Sequence, residues 1–312
     1  MKRWLKIIAA ALGSLQLMGC MNQKQVNPLQ HYISIAAMYA NTKLDFQVPT
    51  DLPGEYILSQ CYITDGKVVS LEYSDGTQSF LYRTAKKTKE LSESGISGDF
   101  QDYPYSWTES VDGVTGTYFS TAPQDQEAPC LVTWEEDEML YSLSGLPASQ
   151  AQDYIISLEK VSKVPDADWI ARPEKTYDTL EELAQAVEIP ALSQMQQLEQ
   201  LPGGYVWEDR YLAIGSVIGS VSYRKGEDTL SVSLSRGNSA AQSYFDGDLS
   251  GSVSAGGVTA TMAGRGEMWY TLSFPVELDG EPCSCQIRSS VGVTQSFLES
   301  VFQVVLEQLT TP

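Results

Sequence analysis

The chain has 312 residues, with 20 basic and 40 acidic side chains, one histidine and a net charge of −20. This balance disfavours nucleic acid and anionic headgroups as partners, because phosphate binding rests on Lys and Arg. An apolar content of 42% marks a folding chain rather than a disordered tail, and the length suffices for two domains with separate cores.

The N-terminus reads as a secretory signal over residues 1–19. Lys2, Arg3 and Lys6 form a positive head, and Ile7 to Leu12 is a short apolar run. Gly13, Ser14 and Gln16 interrupt that run, so it is too short for a membrane-spanning helix of about 20 apolar residues. Leu17, Met18, Gly19 and Cys20 resemble the lipobox of bacterial lipoproteins. The resemblance implies lipidation of the Cys20 sulfur, cleavage before Cys20, and an extracytoplasmic protein anchored to the cell membrane. Stable anchoring takes more than one acyl chain, which a diacylglyceryl cysteine supplies. The signal holds three bases and no acid, so the cleaved chain carries 17 basic and 40 acidic groups, a net of about −23. Residues 20–44 then read as a polar tether with a brief helix near 31–40.

A first module is expected over 45–163. Leu52-Pro53-Gly54-Glu55-Tyr56 opens it: Pro fixes φ, and Gly permits the turn into the first strand. Strand-like runs follow, including Val68 to Tyr73 and Phe80 to Arg83 around a Ser74-Asp75-Gly76 turn. The acidic run Glu135 to Glu138 reads as a solvated hairpin turn, and 148–161 as an amphipathic helix. Residues 164–177, with Pro165 and Pro173, read as a linker.

The second module, 178–312, repeats the punctuation. Leu201-Pro202-Gly203-Gly204-Tyr205 echoes the first motif, "LEYSDG" matches "VSYRKG" at an offset of 150, and Gly113 to Thr117 matches Gly257 to Thr261. Asp178 and Glu181 are spaced for a capping box on a helix over 180–187. In 230–235 leucine or valine alternates with serine, the pattern of a strand with one dry and one wet face. The helix that closes the module, 294–309, repeats Leu298, Phe302, Val305 and Leu309 at helical spacing, with Thr294 as N-cap. The expected fold class is therefore α+β, two tandem repeats, each an antiparallel sheet packed on a C-terminal helix.

The first module, over about 45–161, resembles an extracytoplasmic domain of unknown function found in anchored Gram-positive proteins. The shared features are LPGEY, VVSLEYSDG, a DGV strand, a strand centred on Trp134, and YSLSG leading into a helix. That resemblance implies a sheet-plus-helix module with a sensing or sorting role in the envelope, and no reaction.

Catalytic material is sparse. His31 falls in the tether, so a Ser-His-Asp triad or a histidine metal site has little to draw on. Strand parity turns Cys61, Cys130, Cys283 and Cys285 toward a core, where a free thiol acts as a small hydrophobe. A Cys61–Cys130 disulfide is the alternative in an exported protein. Tyr103, Tyr105 and Trp107 alternate on one face, either as packing or as a binding stripe. The lipobox resemblance implies a lipoprotein attached to the membrane through Cys20, and with the duplication and the missing catalytic groups the expectation is a non-enzymatic protein without cofactor or metal. It would bind an unknown protein, peptide or glycan, or serve in sensing or as a scaffold. Two alternatives stand beside it: a lipid or lipoprotein carrier with an apolar cavity between sheet and helix, and a hydrolase built on two carboxylates.

Overall fold

The structure, a computed structural model, describes residues 28–52, 55–88, 96, 103–124, 126–164, 173–194, 198–237 and 249–310. The signal segment, Cys20 and the Pro53-Gly54 turn lie outside the described residues. Strands dominate, all paired antiparallel, with four α-helices among the described residues. The class is α+β with a large excess of β.

Strands are numbered along the chain. The first sheet has eight strands, in the order β1 (Leu29–His31), β3 (Ile57–Thr64), β4 (Val68–Ser74), β5 (Ser79–Lys86), β9 (Met139–Pro147), β8 (Pro129–Glu136), β7 (Val114–Ser120) and β6 (Tyr105–Val111). A separate pair joins β2 (Gln47–Pro49) to β10 (Leu158–Lys160). The second sheet follows the order β11 (Glu174–Tyr177), β13 (Tyr205–Ile214), β14 (Ile218–Lys225), β15 (Asp228–Arg236), β19 (Glu281–Val293), β18 (Met268–Leu278), β17 (Val258–Arg265) and β16 (Leu249–Ala255). The short β12 (Gln200–Leu201) also pairs with β13. Taken strand for strand, the two orders are the same.

The helices are α1 (Ile35–Thr42), α2 (Ala148–Ile156), α3 (Leu180–Ala186) and α4 (Gln295–Thr310). Ser34 caps α1 by accepting from the Ala37 amide, and the Thr294 hydroxyl accepts from Phe297 N at the start of α4. The capping box on α3 is set one residue later than its sequence spacing suggests. Thr179 accepts from Glu182 N, and Glu182 reaches back to Asp178 N.

Three boundaries differ from expectation. The tether ends early, because Leu29–His31 pairs with β3. The linker ends early, because Glu174–Tyr177 pairs with β13. The helix expected over 148–161 stops at Ile156, and Leu158–Lys160 turns back to pair with β2. Each added strand is three or four residues long, too short for a period of two to stand out.

Each sheet has one apolar face. On the second sheet, Leu230, Val232, Leu272, Phe274, Cys285 and Ile287 share a cluster with Leu298, Val301, Phe302 and Val305 of α4. On the first, Leu71, Tyr73, Phe80, Tyr82, Val132 and Trp134 share one with Ile35 and Met38 of α1 and with Ala151 and Tyr154 of α2. Burying a side chain of this size contributes about 1.5–3 kcal/mol. Cys61, Cys130, Cys283 and Cys285 are buried, and none of them forms a disulfide among the described residues. The Cys61–Cys130 disulfide is not formed: β4, β5 and β9 separate β3 from β8. Four strand steps of about 4.8 Å exceed the Cα separation of roughly 4.4–6.8 Å that a disulfide spans. Unbroken strand alternation would put Ile57 on the face of Cys61, but a bulge between Leu58 and Gln60 puts Leu58 there instead.

Candidate functional site: a polar cleft between the two sheets

The opposite faces of the two sheets carry serine, glutamine and a few charges, and these faces meet. A bond from Arg288 Nη2 on β19 to Gln60 Oε1 on β3 crosses from one half to the other, and an ion pair from Arg265 to Asp65 does the same. Close backbone approach assists at Gly215: its φ of 56° is left-handed, and a Cβ there would stand 2.3 Å from Ile57 Cδ1. Ile57 is thus the residue that the bulge in β3 sends across to the second half.

A cavity of about 470 Å³ lies within this junction. Its first wall comes from β1, β3, β4 and the start of β5, with His31, Gln60 and Glu72, and its second from β13, β14, β15 and β19. Nine of the lining residues are serines, and Leu29, Leu212, Ile214, Ile218 and Leu234 supply apolar patches. The register places the polar groups in rows. Ser222, Ser231 and Arg288 face one another across β14, β15 and β19, and Ser220, Ser233 and Gln286 form the next row. Ser220 Oγ and Ser233 Oγ stand 2.9 Å apart.

Arg288 is held by amides. Its Nη2 donates to Gln60 Oε1 and, at 2.8 Å, to Gln286 Oε1, while Nη1 lies 3.4 Å from His31 Nδ1. The Ser70–Arg83 register pair places Arg83 on the same face of the first sheet as Glu72, and Arg83 is only 2% exposed. Tyr62 sits among these charges. Burial raises its hydroxyl pKa first, Arg83 opposes that, Glu72 adds to it, and Arg288 opposes it again. Two guanidinium groups and one carboxylate therefore converge on this junction.

The serine face of β15, expected to be wet, lines this cleft instead: Ser235 is buried, and Ser231 and Ser233 are partly so. His31, expected in a tether, is part of the wall. Sequence reasoning missed both, along with Gln60, Glu72 and Arg288. One signal was readable: a strand face of serines without Lys or Glu is a poor match for a solvated surface and a good one for a junction between sheets.

The other candidates lie elsewhere. None of Tyr103, Tyr105 and Trp107 lines the cavity. Trp107 stacks on Tyr118 with ring centroids 5.4 Å apart, Tyr103 tilts against Phe119 at 6.4 Å, and Tyr105 is 43% exposed. The acidic run forms the β8–β9 hairpin, with Asp137 and Glu138 at φ 51° and 64°. Between helix and sheet, where a carrier would hold its cargo, Leu298 and Phe302 of the second half are 0–1% exposed and Tyr154 of the first half is 1% exposed. Among the described residues, no group of three or more His, Cys, Asp or Glu is placed to hold a metal ion, and no helix is long and apolar enough to cross a membrane.

No family model matches the chain, and no curated protein matches it. Among solved structures, crystal form III of TP0453 aligns over 76% of this chain and 79% of its own, at 10% identity and a TM-score of 0.21. MucB in complex with MucA(peri) aligns over 85% and 93%, at 11% identity and a TM-score of 0.14. Likenesses this slight assign neither fold nor function to this chain.

Proposed function

We propose that the chain is an extracytoplasmic lipoprotein, anchored through Cys20, that binds a polar solute in the cleft between its two sheets without transforming it. In this reading the chain is a tandem duplication of one unit, a sheet with its C-terminal helix laid on the apolar face. The equal strand order of the two sheets supports the duplication. The apolar clusters shared by helix and sheet support the unit.

The observation that carries the binding role is the cleft itself. A junction between two folded units gains by closing tightly, yet this one leaves about 470 Å³ walled by hydroxyl and amide groups. That volume falls in the range of small-molecule sites, about 300–1,000 Å³. Its lining favours binding over hydrolysis. Glu72 is the one carboxylate among the described lining residues, and glycoside cleavage uses two.

The test uses full-length protein purified in mild detergent. Native mass spectrometry should show a small polar molecule retained by the wild type and lost on Ser231→Phe, which fills the cleft from β15. Equal occupancy in the two proteins would sink the cleft as the binding site. The same spectra report the mass at Cys20, where a diacylglyceryl adduct is expected. An unmodified N-terminus still carrying residues 1–19 would overturn the anchor.

A further inference from the structure

We infer that the chain forms a symmetric dimer, in which β16 pairs antiparallel with β16 of a second copy about a twofold axis through Ser252. This interface is separate from the cleft and does not depend on what the cleft binds.

A sheet edge presents a row of N–H and C=O groups to any other strand. Folded proteins guard such edges with short strands, lysine or proline, bulges, or a charge that points inward. The two large sheets have four edges. β1 is three residues long, and Leu29 and His31 are both engaged by other groups. β11 is four residues long and carries Glu174 and Lys175. β6 has seven residues, but Glu109 lies on the face of Trp107, whose ring stacks on Tyr118 in the apolar cluster. A strand added to β6 would bury that carboxylate. β16 also has seven residues and shows none of these devices. Residues 249–264 hold no charge and no proline, and the register with β17 runs unbroken from Leu249 to Ala255. The match of Gly113 to Gly257 makes Val253 the counterpart of Glu109. The charge that guards one edge is missing from the other.

Backbone geometry says which groups are open. Gly256 and Gly257 have φ of 56° and 81°, the two left-handed residues of a type I′ hairpin turn. The flanking pair Ala255–Val258 then exchanges both hydrogen bonds, and bonded pairs alternate along the ladder. Leu249, Gly251, Val253 and Ala255 thus bond to β17. The N–H and C=O groups of Ser250, Ser252 and Ser254 point outward, where no described residue pairs with them.

The strand's own pattern selects a second copy. A twofold interface uses the same patch on both chains. Pairing about Ser252 sets Ser252 opposite itself, Ser250 opposite Ser254, Gly251 opposite Val253 and Leu249 opposite Ala255. On one face exposed serines meet serines, and on the other apolar residues meet apolar ones. Leu249, Val253 and Ala255 already pack against the cluster beneath α4, so the paired strands would join two apolar layers. Charge agrees. Two chains of net charge −20 repel, and an uncharged edge is where they approach with least repulsion. A basic partner would be drawn to acids, and β16 has none.

The experiment uses the full-length protein in mild detergent. Sedimentation equilibrium over a concentration series should show monomer and dimer for the wild type. Ser252→Lys, at an exposed position, sets two ammonium groups face to face across the axis. It should raise the dissociation constant at least about tenfold. Ser252→Pro removes an outward N–H and no bond to β17, and should do the same. A second measurement does not depend on losing the dimer. Ser252→Cys should form an intermolecular disulfide under mild oxidation, because opposite Cα atoms of a hydrogen-bonded pair lie about 5.5 Å apart. Thr108→Cys, at the centre of β6, should stay uncrosslinked, as should the wild type, whose described cysteines are buried. A wild type that sediments as a monomer throughout overturns the dimer. A dimer that survives Ser252→Lys unweakened, or that crosslinks no better through Ser252→Cys than through Thr108→Cys, overturns β16 as its interface.

Discussion

The two halves follow one strand order and fill it differently. In the second, α4 is 16 residues long and its Leu298, Val301, Phe302, Val305 and Leu306 share the sheet's apolar cluster, where the ring pairs are fewer: Phe274–Phe302 at 4.8 Å, Trp207–Tyr211 at 5.2 Å and Tyr205–Phe297 at 5.7 Å. In the first, α2 has nine residues, and rings fill the space. Tyr73 stacks on Phe80 at 4.9 Å, Tyr154 meets Phe80 and Tyr82 at 5.4 Å each, and Trp134 stacks on Tyr141 at 5.1 Å. Large side chains with few torsions cover a sheet with fewer helical turns. One topology thus accommodates two cores, because a fold asks for filled volume and apolar surface rather than particular residues. The aromatic solution brings more buried tyrosine hydroxyls with it than the aliphatic one.

The largest expected effects test the cores directly. Phe302→Ala should destabilise the second half by about 3–5 kcal/mol, and Tyr154→Ala the first by a similar amount. Tyr154→Phe keeps the ring and should cost about 1 kcal/mol or less. Hydrogen exchange read separately over each half would check this. If Phe302→Ala loosens the β3–β5 region as much as β17–β19, the halves are one cooperative unit, and the comparison between two cores collapses.

Alkaline pH should separate the halves next. In the first, burial raises the hydroxyl pKa of Tyr62, Tyr73, Tyr82, Tyr141 and Tyr154, and carries Tyr118 to about 12. In the second, Tyr211 and Tyr270 are raised and Tyr223 reaches about 12. An acid whose folded pKa is raised favours folding while it stays protonated. Its contribution is complete below the unfolded pKa near 10 and is lost as pH climbs through the folded value. The first half should therefore unfold first between about pH 10 and 12, which tyrosinate absorbance together with exchange would show. Loss of the second half ahead of the first would contradict this.

Much of this architecture was legible. Hairpin turns, the duplicated punctuation, the closing helix and the inward parity of Cys130, Cys283 and Cys285 all follow from local chemistry. The second LPG motif is a case in point. Gly203 sits at φ 78°, and a Cβ there would come within 2.7 Å of the Phe297 ring, so the residue serves both the turn and the packing of α4. The site was not legible, because it exists only where two sheets meet. Nothing in Leu29–His31, Gln60 or Arg288 taken alone announces that three distant stretches share a wall. The serine alternation showed the face but not that another sheet covers it.

The thiols give a smaller, chemical contrast with the disulfide that the export signal suggests. Burial, and next Glu127, carry the Cys130 thiol to about 12, and burial alone raises Cys285 further. The thiolate is the nucleophile, so alkylation of Cys61, Cys130, Cys283 and Cys285 should be slow in the native protein and fast in denaturant. Denatured protein alkylated with and without prior reduction should have one mass. A higher mass after reduction would mean that a disulfide forms after all.

The smallest effect compares two surface ion pairs of equal length. Lys87 Nζ meets Glu135 Oε2 at 2.6 Å in the first half, with both side chains well exposed. In the second, Arg224 reaches Glu208 Oε1 through Nε and Nη2, each at 2.6 Å, and Glu208 is only 14% exposed. Exposed pairs contribute about 0.2–1 kcal/mol. A lysine ammonium is a mobile point charge, whereas the arginine fork makes two contacts from one orientation. Glu135→Gln should therefore cost less than about 0.5 kcal/mol, and Glu208→Gln up to about 1 kcal/mol. Added salt should shrink the first difference more than the second, because a half-sheltered pair is screened less. Equal costs at low salt would show that the second fork adds nothing, and that the difference between the halves lies in their cores and not at their surfaces.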